Sequence, residues 1–203
     1  MKAIYLVVAG ALLTGCSSER RQPTAPFVVP VVSQETHSPN GPGSANGGNF
    51  GSPLSAAEEV MPAGVVNEST ARGNAVFQLN DEGTVLSYQL IVANIENVFM
   101  AHIHVGPVGQ NGPVVVWLYP STTPGAGPTG AGRIDGVIAE GTITAANFIG
   151  PLTGQPMSAL IAALMGANAY VNVHTNDGVA PTNTGPGDFP GGEVRGQVEH
   201  RGH

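Results

Sequence analysis

The sequence has a single cysteine, Cys16, and only seven basic residues, among which Lys2 is the one lysine. One cysteine cannot form a disulfide within the chain, and it cannot supply the several thiolates of a structural zinc site. A folded domain in this chain must therefore be held together by its hydrophobic core. A metal site in it must rely on ligands other than thiolates.

Positive charge is scarce throughout the chain. The 7 Lys and Arg residues stand against 14 Asp and Glu, which gives a formal net charge of −7. Contacts with nucleic-acid phosphates need clustered cations, so the sequence excludes a nucleic-acid-binding protein. The same shortage means that charge would not hold the chain on an anionic membrane surface.

The first 16 residues have the pattern of an export signal. Lys2 precedes an apolar run from Ala3 to Leu13, which is shorter than the roughly 20 residues that a membrane-spanning helix needs. The next residues, Leu13-Thr14-Gly15-Cys16, resemble the lipobox of bacterial lipoproteins. The resemblance implies cleavage of a signal peptide, residues 1–15, and lipid, including palmitate, on Cys16. We therefore expect an extracytoplasmic protein anchored in a membrane, which is the outer membrane if the cell is Gram-negative.

Composition divides the rest of the chain into a tether and a domain. The stretch from Ser38 to Asn49 is rich in Gly, Pro, Ser and Asn and has no apolar period, so residues 16–52 are predicted to be the lipidated cysteine and a disordered tether. Residues 53–203 are predicted to fold. Their many glycines and prolines and few charges are typical of a β-protein with many turns.

Alternation of apolar and polar residues predicts a series of short strands and little helix. The predicted strands cover residues 58–61, 72–79, 84–92, 98–105, 114–119, 137–143, 169–175 and 192–200. The apolar spacing in residues 157–165 predicts a short helix, which Gly166 ends. A second helical turn is predicted after Thr142 or Thr144. This pattern indicates an all-β, antiparallel sandwich or barrel with one or two short helices.

Several motifs, in order along the chain, resemble the CHRD (chordin-type) domain. They are Leu54–Val60, Ala101–Gly106 with Val114–Leu118, Gly141–Thr144, Ala169–Thr175 and Pro190–Gln197. The resemblance implies an immunoglobulin-like β-sandwich. In this family, chordin binds growth factors outside the cell, and no enzymatic activity is generally attributed to the domain. The glycine-rich segment 178–187 is an insertion relative to the family pattern.

Three histidines could form a metal site. His102 and His104 are two residues apart on one predicted strand, so their side chains leave the same face, and His174 lies on another strand. If they converge, their nitrogens could bind copper or zinc at about 2.0 Å. The His-x-His spacing is similar to that of the copper ligands of Cu/Zn superoxide dismutase, but the chain lacks that enzyme's further ligands. We expect these histidines instead to hydrogen-bond loop carbonyls or the carboxylate of Glu193 and so to fix the two long loops, with a metal site as the alternative.

Four further polar residues are predicted to form a layer with structural importance: Asn172, Glu193, Arg195 and Gln197. Glu193 and Arg195 lie two apart, so they share a face of a strand. We expect a structural ion pair between them, and the alternative is a pair that recognises a ligand.

No catalytic set is evident in the sequence. It contains no Gly-x-Ser-x-Gly nucleophile motif and no Gly-Lys-Ser/Thr phosphate loop. The sequence therefore favours a non-catalytic binding or scaffolding domain at the cell envelope, with an unknown protein or glycan ligand. The alternative is a copper- or zinc-binding protein for metal storage or redox chemistry. A surface coat without a specific ligand is a third possibility.

Overall fold

A computed structural model describes residues 48–202 of the chain. The predicted signal peptide, Cys16 and the tether up to residue 47 lie outside these residues. Within the described part, no helix has both the length and the apolar character needed to cross a membrane.

The described residues form a mostly β structure with one short α-helix. Its strands are β1 Asn49–Ser55, β2 Arg72–Leu79, β3 Leu86–Glu96, β4 Val98–Val105, β5 Val114–Tyr119, β6 Arg133–Ile143, β7 Ala169–Thr175, β8 Val194–Gln197 and β9 Glu199–Arg201. The helix, α1, covers Met157–Met165, and short 3₁₀ turns cover Ala56–Glu58, Ala145–Asn147 and Gly150–Leu152. The predicted strands 72–79, 98–105, 114–119 and 169–175 and the predicted helix 157–165 are confirmed with the same bounds.

The strands form one antiparallel sheet that is nearly closed into a barrel. The order is β5-β4-β7-β8-β1-β2-β3-β6, with β9 also paired to β1. The two end strands, β5 and β6, lie close together. The hydroxyl of Tyr88 on β3 also donates a hydrogen bond of 2.7 Å to the carbonyl of Leu118 on β5. The predicted antiparallel sandwich or barrel is therefore confirmed.

The hydrophobic core fills the inside of this barrel. Side chains of β3, β4 and β7 contribute through strict alternation, with Leu86, Leu90, Ile103 and Val171 fully buried. Burial of each such aliphatic side chain stabilises the fold by about 1.5–3 kcal/mol. The helix α1 adds Leu160 and Leu164 to the same cluster.

The start of the domain differs from the prediction. The first strand is β1, beginning at Asn49, four residues before the predicted boundary at 53, and the predicted strand 58–61 does not form. Phe50 and Leu54 lie on the buried face of β1. The residues between them, Gly51, Ser52 and Pro53, lack the alternation of apolar and polar side chains that identifies a strand. Pro53 lacks an N–H, but the Ser52 hydroxyl compensates by donating to the Gly196 carbonyl across the sheet at 2.7 Å.

Four other predicted elements change length or type. The strand predicted as 84–92 begins two residues later and ends four residues later, as β3. The last strand, predicted as 192–200, is broken at Val198 into β8 and β9, because the Val198 N–H donates back to the carbonyl of Ala169 on β7. The strand predicted as 137–143 begins earlier, at Arg133. The turn predicted after Thr144 is a 3₁₀ turn, Ala145–Asn147, in which Asn147 Oδ1 accepts hydrogen bonds from the Thr144 N–H and hydroxyl.

Candidate metal centre

A polar layer lies on the face of the sheet opposite to the hydrophobic core. Residues directly opposite each other on paired strands share a face, so the register places this layer across four strands. One row runs Trp117, His102, Asn172 and Arg195, and the next runs His104, Tyr170 and Gln197. Every residue of β7 is buried, including the polar ones. The middle of the layer is therefore shielded from solvent, whereas Trp117 and Gln197 at its ends are half-buried.

Two long loops provide that cover. The Arg195 guanidinium, 1% exposed, donates to the carbonyls of Pro107 and Gln110 and to Oδ1 of Asn111, which fixes the loop after β4. The loop after β7 is held by an N–H of the Asn172 side chain, which donates to the Gly191 carbonyl. The loop thus supplies acceptors for a buried guanidinium, whose N–H groups would otherwise lack partners.

His102, His104 and His174 converge within this layer, as the sequence allowed. One ligand nitrogen from each residue lies within 4.8 Å of the corresponding nitrogens of the other two. His102 Nδ1 and His174 Nε2 are 3.1 Å apart. Two nitrogens bound at about 2.0 Å to one ion are at most about 4 Å apart, so this pair is already within the separation that two ligands of one ion have. The exposed fractions of the three side chains are 3%, 8% and 5%.

Backbone carbonyls select the tautomers of two of these histidines. His104 Nδ1 lies 2.9 Å from the Gly112 carbonyl, and His174 Nδ1 lies 2.9 Å from the Pro190 carbonyl. A carbonyl only accepts, so each Nδ1 carries the proton and each Nε2 is a lone pair. His174 Nε2 then accepts from His102 Nδ1, which leaves the lone pair of His102 on its Nε2. Anchoring of one ring nitrogen to a carbonyl is the usual way in which proteins orient a metal-binding imidazole.

Two ring nitrogens of this cluster have no partner. Among the described residues, His102 Nε2 and His104 Nε2 are buried without a hydrogen bond, as are Asn172 Oδ1 and Glu59 Oε2. Asn172 is directly opposite His102, and its Nδ2 donates to Glu59 Oε1 at 3.4 Å. A buried polar atom without a partner costs about 1–3 kcal/mol, so such a group of atoms indicates a ligand position.

The imidazoles are neutral near pH 7. Burial, aided by the charges of the neighbouring histidines, lowers the pKa of His102 to about 3. Burial also lowers the pKa of His174 to about 4 and lowers the pKa of His104. A neutral imidazole offers its lone pair to a metal without first losing a proton.

Tyr170 and Arg195 hold His104 in place. The Tyr170 ring stacks on the His104 ring at 4.7 Å with an interplanar angle of 11°, and its hydroxyl accepts from the Gly112 N–H at 2.9 Å. The Arg195 guanidinium lies 3.5 Å above the same tyrosine ring. The Gly112 peptide group that orients His104 is therefore held by Tyr170, and Arg195 in turn packs on the Tyr170 ring.

The expected ion pair between Glu193 and Arg195 does not form. Glu193 instead accepts hydrogen bonds from the hydroxyls of Ser69 and Thr175 and from the Gly187 N–H. The one ion pair between residues 48 and 202 joins Arg133 and Asp135. Glu193 comes just before β8 in sequence and contacts Thr175 at the end of β7, where loops enclose it. Arg195 instead points to the loop after β4. Nor does Glu193 hydrogen-bond a histidine.

Some residues of the site were not predicted from the sequence. Glu59 reaches Asn172 from a segment that was predicted to be a strand, and Gly112 contributes only a carbonyl. The rings of Trp117 and His102 meet edge to face, with their centroids 4.2 Å apart. The signal for Trp117 was present, because it lies within a recognised motif, but its position opposite His102 depends on register.

Comparison with known proteins gives one clear relationship. No curated protein and no solved structure shows a significant match to this chain. The model of the CHRD domain family matches residues 50–198, which is most of the chain and nearly all of the β structure that contains the three histidines. The chain therefore belongs to the CHRD domain family.

Proposed function

We propose that this chain is a non-catalytic copper- or zinc-binding domain, held at the outer side of a bacterial membrane by lipid on Cys16. The observation that carries the proposal is the cluster of His102, His104 and His174, in which Nε2 of His102 and of His104 has no protein partner. The CHRD fold is consistent with a binding role, and the family is not known for catalysis.

A purely structural role explains only part of this geometry. The hydrogen bonds to the Gly112 and Pro190 carbonyls fix both loops through Nδ1 of His104 and His174. They give no reason for placing three imidazoles together, nor for leaving Nε2 of His102 and His104 unpaired. A metal ion bound by the three imidazoles would replace the hydrogen bond between His102 and His174 and would use lone pairs that lack a protein partner, and the loop bonds would then act as the anchors that orient its ligands.

The burial of the three histidines favours metal binding over catalysis. A catalytic metal keeps an open position for water or substrate. Here the three histidines are nearly inaccessible, and Trp117 and Tyr170 pack against them. The site is thus suited to holding an ion rather than to exchanging substrates.

Elemental analysis tests the proposal. The untagged full chain is loaded with copper or zinc and dialysed, beside the His102→Ala/His104→Ala double variant and a His200→Ala control on the exposed β9. We expect about one equivalent of metal in the wild type and in the control, and almost none in the double variant. Absence of stoichiometric metal, or equal retention by the double variant, would contradict the proposal and direct the search to protein or glycan ligands.

A further inference from the structure

The site also indicates which ion it prefers. Resting on the proposed function, we infer that the ion is monovalent copper, Cu(I), bound by the three imidazoles of His102, His104 and His174. The inference depends on the number of ligands, the local charge and the enclosure of the site.

The ligand set is neutral and has three members. Among the described His, Cys, Asp and Glu side chains, the group whose ligand atoms converge consists of these three histidines, with no carboxylate among them. Structural zinc sites are almost always four-coordinate, and Cu(II) favours tetragonal sites. Cu(I), which has a filled d shell, is stable with three ligands in a plane.

The three ligands themselves carry no negative charge to balance a divalent ion. Glu59 contacts Asn172 rather than a histidine. Arg195 acts electrostatically on both Glu59 and His104, so its positive charge offsets the carboxylate. The cost of burying an ion rises with the square of its charge, so a monovalent ion pays about one quarter of the desolvation cost of a divalent ion of equal size. Local charge therefore favours Cu(I) over Cu(II) and Zn²⁺.

Enclosure acts in the same direction. The Trp117 edge and the stacked Tyr170 ring flank the histidines and limit the space for the water ligands that Cu(II) and catalytic Zn²⁺ retain.

The test is the one-electron potential of copper bound to the untagged full chain, together with competition titrations for Cu(I) and Zn²⁺. If the site binds Cu(I) at least about 100-fold more tightly than Cu(II), the potential lies about 120 mV or more above that of aqueous copper, since a tenfold preference corresponds to about 59 mV. X-ray absorption of the Cu(I) form should show three nitrogen ligands and no oxygen. A potential at or below that of aqueous copper, or displacement of Cu(I) by an equal concentration of Zn²⁺, would overturn the inference.

A matched pair of variants tests the charge argument. Asn172→Asp places a carboxylate opposite His102, so it should stabilise Cu(II) and lower the potential. Asn168→Asp adds the same charge at an exposed position and should leave the potential unchanged. Equal potentials for both variants would contradict the argument from charge.

Different results would contradict the inference and the proposed function. If neither copper nor zinc binds stoichiometrically, both are wrong. If one equivalent of Zn²⁺ or Cu(II) binds through the histidines but Cu(I) is not preferred, the metal-binding function stands and the inference alone is wrong.

Discussion

At the scale of single residues, the two nitrogens of an imidazole have separate tasks. In His104 and His174, Nδ1 holds a loop carbonyl, and this contact leaves the lone pair on Nε2. The same contact therefore stabilises a loop and prepares a ligand. Because the tasks are on one side chain, removal of a histidine is expected to affect both loop order and metal binding.

The lowered histidine pKa values predict how the stability of the metal-free chain depends on pH. Unfolded histidines bind protons near pH 6.5, whereas folded His102 and His174 bind them only near pH 3 and 4. Between these values the unfolded state holds more protons, so the free energy of unfolding decreases as the pH falls from about 6.5 towards 4. Each histidine contributes up to about 1.4 kcal/mol per pH unit.

Urea unfolding of the metal-free chain at several pH values measures this effect. His102→Gln should reduce the slope between pH 6.5 and 4.5, because Gln does not titrate. An unchanged slope in this variant would show that His102 binds its proton equally well in the folded state.

The backbone around Gly112 leaves no room for a side chain at this position. A Cβ at this position would lie 1.8 Å from the Val105 carbonyl oxygen. We expect Gly112→Ala to destabilise the fold by about 1–3 kcal/mol, because the loop must move away from β4, and to displace the carbonyl that orients His104. Urea unfolding and metal titration measure both effects. Gly191→Ala, where a Cβ meets nothing within 4 Å, is the control, and equal stability of the two variants would contradict the prediction.

At the scale of elements, β7 is the centre of the site. It lies between β4 and β8 and is buried on both faces, with Val171 and Val173 in the core and Asn172 and His174 in the polar layer. An exposed face of an antiparallel strand would carry polar side chains in water. Here loops replace the water, so each polar group needs a partner within the protein.

Glu193 shows the energetic importance of these partners. Its carboxylate is 1% exposed and accepts from Ser69, Thr175 and Gly187, which belong to three separate segments. Glu193→Gln should destabilise the fold by about 1.5–3 kcal/mol, because hydrogen bonds to a charged acceptor are lost and an amide N–H faces other donors. Denaturant unfolding measures the change. The exposed Glu199 provides the control Glu199→Gln, and a Glu193→Gln variant as stable as this control would contradict the role assigned to the carboxylate.

At the scale of the whole molecule, the sequence predicts a domain that is attached to a membrane through Cys16. The chain has little positive charge with which to bind an anionic surface, so lipid should account for the attachment. The metal centre would then work outside the cytoplasm, where the chain has no disulfide to stabilise it.

Lipid labelling tests this attachment. Cells supplied with a palmitate analogue should label the wild-type chain and retain it in the membrane fraction. The Cys16→Ala variant should lose the label, whereas Ser17→Ala should keep it. A labelled Cys16→Ala variant, or an unlabelled wild type, would contradict lipidation at this residue.

The sequence by itself determined the fold class and most of the strands. Alternation in residues 72–79, 98–105 and 169–175 depends on local pleat geometry, in which successive side chains point to opposite faces. The same rule placed His102 and His104 on one face. Elements whose alternation was interrupted, such as β1 with its Gly51 and Pro53, could not be recognised locally and formed only through pairing with β2 and β8.

Only the tertiary structure decided what surrounds the histidines. Sequence spacing does not state which strands are neighbours, so the approach of His174 to His102 depends on the pairing of β4 with β7. The partners of Glu193 and Arg195 likewise depend on where three loops close over the sheet. Strand alternation is a local property of the backbone, whereas pairing, register and loop closure arise from contacts between residues that are distant in sequence.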